Sequence, residues 1–209
     1  MDLIRYTMRL QRREKMRHKK MLAILGSPHK DGVTARMLQC AIKAAEAAGW
    51  EVEQVNLYEK QIGFCRGCRR CLETRECVIK DDIQRIAESL RSCDVVALAA
   101  PVYWANVPAI VKNMFDRLLG AAMEETNTFP KGRLPGKKYF FFTACHTPAP
   151  FSWIFGQSRG AKRVVKEFFK TAGMTCGGNF VCANAGRSKT LSQAIQRKIQ
   201  KTLDSYVAS

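Results

Sequence analysis

Four cysteines fall within thirteen residues, as Cys65-x2-Cys68-x2-Cys71-x5-Cys77. An iron–sulfur cubane takes four thiolates, and short spacers let one loop supply all of them. Structural zinc sites more often use two knuckles well separated in sequence, and a dithiol couple needs only two cysteines. The spacing suits a [4Fe-4S] cluster, with zinc or free thiols as the alternatives. Arg66, Arg69, Arg70 and Arg75 interleave with the thiols. Such positive charge favours the reduced, more negative state of a cluster, or docks an acidic electron-carrier protein. A solvated basic loop is the simpler account of the same arginines.

A second stretch, Leu22-Ala23-Ile24-Leu25-Gly26-Ser27-Pro28-His29-Lys30-Asp31-Gly32-Val33-Thr34, reads as a buried strand, a tight loop and a helix start. A helix start leaves N–H groups unpaired and carries partial positive charge, so it welcomes an anion. Ser27 and Thr34 add hydroxyl donors, and a phosphate site is the expectation. The P-loop pattern does not fit: five residues separate Gly26 from Gly32, and Val33 stands where its lysine belongs. The G-x-G-x-x-G dinucleotide fingerprint is also absent.

These residues must be positioned by alternating strands and helices. Leu22–Leu25, Val52–Leu57, Val95–Ala100, Tyr139–Ala144 and Thr175–Ala183 read as strands. Helical spacing links Leu38, Ala41, Ile42 and Ala45, and again Ile83, Ile86, Ala87 and Leu90 behind Asp81 and Asp82. A helix opened by Pro108 buries Ile110, Val111, Met114, Phe115 and Leu118, and two more cover 161–172 and 191–203. Residues 121–137 and 145–160 read as loops, the second an ordered loop or lid in which Phe151, Trp153 and Phe155 offer either an apolar cover for a flat ligand or ordinary core packing. Five strands alternating with helices imply an α/β, doubly wound parallel sheet with helices on both faces.

The Gly26–Thr34 loop resembles the Gly-Ser-Pro-Arg-x-x-Gly-Asn-Thr loop of flavodoxin-like FMN reductases, with His29 and Val33 in place of the usual Arg and Asn. The cysteine run, the following Cys77-Val78-Ile79-Lys80-Asp81-Asp82 and Pro101-Val102-Tyr103-Trp104 resemble the iron–sulfur flavoproteins, over Met21 to about Arg117. The resemblance implies a flavodoxin-like sheet of order 2-1-3-4-5 whose ligand lies beyond the strand C-termini. It implies FMN, with Ser27, His29, Gly32, Val33 and Thr34 at the phosphate. Pro101, Val102, Tyr103 and Trp104 fall at the ring edge, and Cys145 and His146 along the ribityl chain or ring. It implies a homodimer or tetramer, and an oxidoreductase passing electrons from NAD(P)H or a ferredoxin-type donor to a quinone, flavin or similar acceptor. The flavin carries the hard chemistry, so no catalytic side chain is expected.

The totals bound these readings. At 209 residues the chain supports one domain, expected over 21–209 behind a basic extension over 1–20. That extension carries a net +6 of the chain's +17. Such a surplus attracts anions without specificity, and no motif sharpens it into specific nucleic-acid recognition. No apolar run reaches the roughly 18–20 residues of a membrane span, and nothing resembles a secretory signal. Nine cysteines in such a chain point to reduced thiols or metal ligation in the cytoplasm. The competing reading is a non-enzymatic, basic zinc-knuckle module that binds nucleic acid.

Overall fold

The computed structural model describes residues 19–186 and 190–207. The extension expected over 1–20 therefore lies outside the described residues, apart from Lys19 and Lys20. The elements run β1 (Lys20–Leu25), α1 (Val33–Ala47), β2 (Glu51–Asn56), α2 (Cys71–Thr74), α3 (Ile83–Ser92) and β3 (Val95–Ala99). They continue as α4 (Ala109–Arg117), α5 (Leu119–Ala122), β4 (Met123–Glu124), β5 (Lys131–Gly132), β6 (Lys138–Ala144), α6 (Phe151–Ile154), α7 (Gln157–Thr171), β7 (Thr175–Cys182) and α8 (Gln193–Val207).

The main sheet has the order β2-β1-β3-β6-β7, and every neighbouring pair is parallel. Counting only its own strands, this is the expected 2-1-3-4-5. The buried centre explains the composition of β3, whose five residues are all buried. Successive side chains point to opposite faces. Leu22, Ile24, Val96, Leu98, Tyr139 and Phe141 meet α3, α4 and α7 on one side. Met21, Ala23, Val95, Ala97, Phe140 and Phe142 meet α1 and α8 on the other. Each large side chain buried this way contributes roughly 1.5–3 kcal/mol.

Three details differ from the sequence reading. The first strand begins at Lys20, where its backbone N–H donates to Asp94 Oδ2 at 2.8 Å. The 121–137 stretch is not all loop: it holds the end of α5 and the two-residue antiparallel pair β4–β5. The 145–160 stretch contains α6 and the first turn of α7, and Phe151, Trp153 and Phe155 are all exposed there. Short polar and glycine-rich segments carry little periodicity, so such local turns are weakly written in sequence.

Candidate functional site at the strand C-termini and the cysteine loop

Hydrogen bonds join the strand ends into one rim. Gly26 N–H donates to Ala99 O at 2.7 Å, Val102 N–H to Ala144 O at 2.9 Å, and Cys145 N–H to Cys182 O at 3.0 Å. The loops after β1, β3 and β6 therefore stand side by side at the switch point between β1 and β3, where open α/β sheets bind ligands. Gly26 is required by close approach, because a Cβ there would run into Val111 Cγ2.

The N-terminus of α1 opens onto this rim. Gly32 caps it in extended conformation, no side chain caps it, and its first turn has no acidic residue. Its orphan N–H groups and dipole are thus left for an anion. Ser27 is 3% exposed, and its Oγ accepts the His29 N–H at 3.2 Å. Thr34 is buried, Val33 half-buried and His29 exposed. Lys30 is paired with Glu59, and Asp31 is exposed just outside the helix. The donor set fits a phosphate group.

Pro101 and Val102 are half-buried behind a tight turn closed by Tyr103 N–H to Asn106 O at 2.8 Å and Asn106 N–H to Tyr103 O at 2.9 Å. Its central residues, Trp104 and Ala105, are left-handed at φ 51° and 56°. Trp104 is fully exposed. Gly160 of α7 lies against the Ala105 carbonyl so closely that a Cβ would overlap it. Tyr58, just after β2, joins this rim unannounced by the sequence: burial pushes its phenol up, and nearby Tyr103 adds to the shift. Cys145 is buried, with Sγ 3.6 Å from Thr147 O. Burial raises its thiol pKa, partly offset by Ser152. His146 beside it is exposed, so the two neighbours face different environments.

The cysteine loop crosses from β2 to α3, and its ends are held by polar side chains. Asn113 Nδ2 donates to Ile62 O at 3.1 Å and Gly63 O at 3.3 Å. Gln84 Nε2 donates to Cys77 O at 2.9 Å and Ile79 O at 2.8 Å. Arg117 bridges both ends, donating to Gly63 O at 2.5 Å, Ile79 O at 3.0 Å and both Asp81 carboxylate oxygens. Burial works against the Asp81 carboxylate, but bonds from Arg117 and from the Ile83 and Gly63 N–H groups outweigh it and hold its pKa below the usual value. Sequence reading missed Arg117, although a charge three residues after Met114 and seven after Ile110 falls on the apolar stripe of α4 and was a legible anomaly.

Cys71 and Cys77 are half-buried, whereas residues 64–70, including Cys65 and Cys68, are exposed. Among the described residues no three His, Cys, Asp or Glu side chains are arranged to hold a metal ion. The donor set nevertheless fits an iron–sulfur cluster by kind. All four thiols are free, and Cys71 is raised by burial and then by the nearness of the other three. N–H groups face three of the sulfurs: Gly67 N–H to Cys65 at 3.5 Å, Arg117 Nε to Cys77 at 3.2 Å, and Gly120 N–H at Cys71. Ligating sulfurs are commonly stabilised by such donors.

A doubly wound sheet of this order, with an uncapped helix N-terminus at its switch point, defines a flavodoxin-like α/β protein. The family model of NADPH-dependent FMN reductases matches residues 19–144, and the chain belongs to that family. It is 44% identical over 100 residues to an iron-sulfur flavoprotein of Archaeoglobus fulgidus, covering 48% of this chain and 46% of that protein. It is 36% identical over 98 residues to an iron-sulfur flavoprotein of Methanosarcina thermophila, covering 47% and 51%. The chain thus spans about half the length of these curated relatives. The solved NAD(P)H:quinone oxidoreductase from Methanothermobacter marburgensis superposes with a TM-score of 0.68 at 12% identity, covering 91% of this chain and 98% of that one. That likeness concerns the fold. The family match lends no support to a zinc-knuckle nucleic-acid module.

Proposed function

We propose that this chain is an FMN-dependent oxidoreductase that takes electrons from NAD(P)H, or from a ferredoxin-type donor, and passes them to a small acceptor such as a quinone or a flavin. The uncapped N-terminus of α1 beside buried Ser27 and Thr34 carries the reading, together with the family match. FMN, when bound, supplies the hydride and electron transfer. Ser27, Thr34 and the Val33 N–H hold its phosphate beside Gly32, whose own N–H turns inward to His29 O at 3.3 Å, and His29 stands at the solvent side. Pro101, Val102, Tyr103 and Trp104 border the ring; the Val102 and Tyr103 N–H groups are bonded to Ala144 O and Asn106 O, which leaves the Trp104 N–H to meet a ring oxygen or nitrogen. His146 and the backbone beside Cys145 flank the opposite edge. No side chain is assigned a proton transfer.

The same reading gives Cys65, Cys68, Cys71 and Cys77 a [4Fe-4S] cluster. The names of the curated relatives and the N–H groups facing the sulfurs support it. The exposed rim aromatics, Trp104 foremost, support assembly as a homodimer or tetramer. Among the described residues no helix is long and apolar enough to cross a membrane, and nine free cysteines suit a reducing cytoplasm.

The decisive experiment is anaerobic purification followed by absorbance spectra before and after NADPH. Bleaching of bound flavin supports the assignment. Colourless protein that refuses FMN at micromolar concentration refutes it.

A further inference from the structure

Arg117 is a charge placed where a neutral side chain would have been cheaper. Its side chain is 0% exposed, and burying a guanidinium costs several kcal/mol before its partners compensate. Holding the loop does not by itself demand that charge, because Asn113 and Gln84 anchor the same backbone with neutral amides. What Arg117 adds is a fixed cation with one N–H, Nε, aimed 3.2 Å from Cys77 Sγ. Its other end is directed away from the sulfur: Nη1 and Nη2 take the Asp81 carboxylate at 2.8 Å and 3.0 Å. The geometry is a fork neutralised at the far side and left polar toward the thiol.

We propose that Arg117 is a positioning residue for the cysteine loop and that it also raises the electron affinity of the group the cysteines hold. This rests on the cluster reading above. Reduction adds one electron to a sulfur-ligated cluster and breaks no bond. A donor N–H and a cation beside a ligating sulfur favour that more negative state, so they raise the potential. Asp81 opposes the effect as the counter-charge. Removing Arg117 and removing Asp81 must therefore move the potential in opposite directions, which a purely structural pair would not do.

Arg117→Lys, Arg117→Gln and Asp81→Asn in the full chain, reconstituted anaerobically with ferrous iron and sulfide, test this. Each is titrated with dithionite in the presence of mediators, and the reduced cluster is followed by electron paramagnetic resonance. Arg117→Gln is expected to shift the reduced-to-oxidised ratio at least tenfold toward oxidised, 59 mV for a one-electron couple, and Arg117→Lys, which keeps the cation but loses the aimed Nε–H, to shift it the same way by less. Asp81→Asn is expected to shift it the other way. Potentials equal to wild type in variants that carry wild-type iron overturn the proposal, and so does a shift of the same sign in all three.

Hydrogen exchange of the unreconstituted protein is the second readout. Peptides spanning 62–81 are expected to exchange at least tenfold faster in both Arg117 variants, with Arg66→Gln as the unchanged control. Unchanged exchange overturns the positioning role. Wild-type protein that takes up no iron and sulfide refutes the cluster reading instead, and the exchange arm still decides the positioning role.

Discussion

Arg117 and Asp81 meet in two parallel hydrogen bonds, Nη1 to Oδ2 at 2.8 Å and Nη2 to Oδ1 at 3.0 Å, across 36 residues of chain. The pair joins the C-terminal turn of α4 to the segment that opens α3, and Arg117 also holds both ends of the cysteine loop, at Gly63 O and Ile79 O. Breaking one member of a buried pair strands the other charge, at a cost of about 3–5 kcal/mol. Asp81→Asn should therefore lose about 3 kcal/mol of stability at pH 7, measured by urea unfolding.

The same carboxylate sets an acid limb. Its pKa is lower in the folded protein than the unfolded value of about 3.9. Its contribution is complete above that value and is lost as pH falls through the folded one. The stability gap between wild type and Asp81→Asn should thus be constant from pH 7 to about 5 and shrink below about 4. A gap that persists undiminished at pH 2 would show that the charge is not what stabilises the loop.

At the Gly26–Thr34 loop, proposed to hold the FMN phosphate, Ser27→Ala and Thr34→Ala should each weaken FMN binding about tenfold, the lower end of a hydrogen bond to a charged group, about 1.5 kcal/mol. Fluorescence quenching of free FMN measures this. Folding should be little affected, because neither hydroxyl is the anchor of a core contact.

Trp104 holds a left-handed backbone with its indole in solvent. A Cβ in that region costs roughly 1–2 kcal/mol, and glycine's chain entropy returns part of it. Trp104→Gly should therefore raise Tm by about 2 °C, at roughly 2–4 °C per kcal/mol for a chain of this size. It should weaken FMN roughly threefold to tenfold through the lost ring contact. A fall in both would identify the indole as a packing group.

Cys68→Ser and Cys71→Ser should each bring iron and acid-labile sulfide well below the roughly four per chain of a [4Fe-4S] protein, measured after reconstitution. Bound FMN should stay at wild-type level, since these residues lie outside the rim formed by the loops after β1, β3 and β6.

Much of this molecule was legible in its residues because the relevant physics is local. Leu22–Leu25 and Val95–Ala100 are short continuous apolar runs, which suit a strand buried on both faces. The glycines and hydroxyls between Gly26 and Thr34 announce a helix start open to an anion, and the cysteine spacing announces thiolate chemistry. Turns were less legible. The Trp104–Ala105 turn needs two left-handed residues, and neither tryptophan nor alanine signals that conformation; it is stabilised where α7 brings Gly160 onto the Ala105 carbonyl.

The sequence by itself determined the alternation of strands and helices, the strand–loop–helix turn over Gly26–Thr34 and the identity of four thiols, since periodicity and spacing are properties of neighbours along the chain. Only the tertiary structure decided which of those groups are reachable and what surrounds them. It buried Cys145 while leaving His146 exposed, and closed Arg117 onto Asp81 and Cys77. The reason is that burial and charge pairing depend on distances between segments far apart in sequence. Those distances exist only once the sheet has set β3 between β1 and β6 and laid α4 against the loop that follows β2.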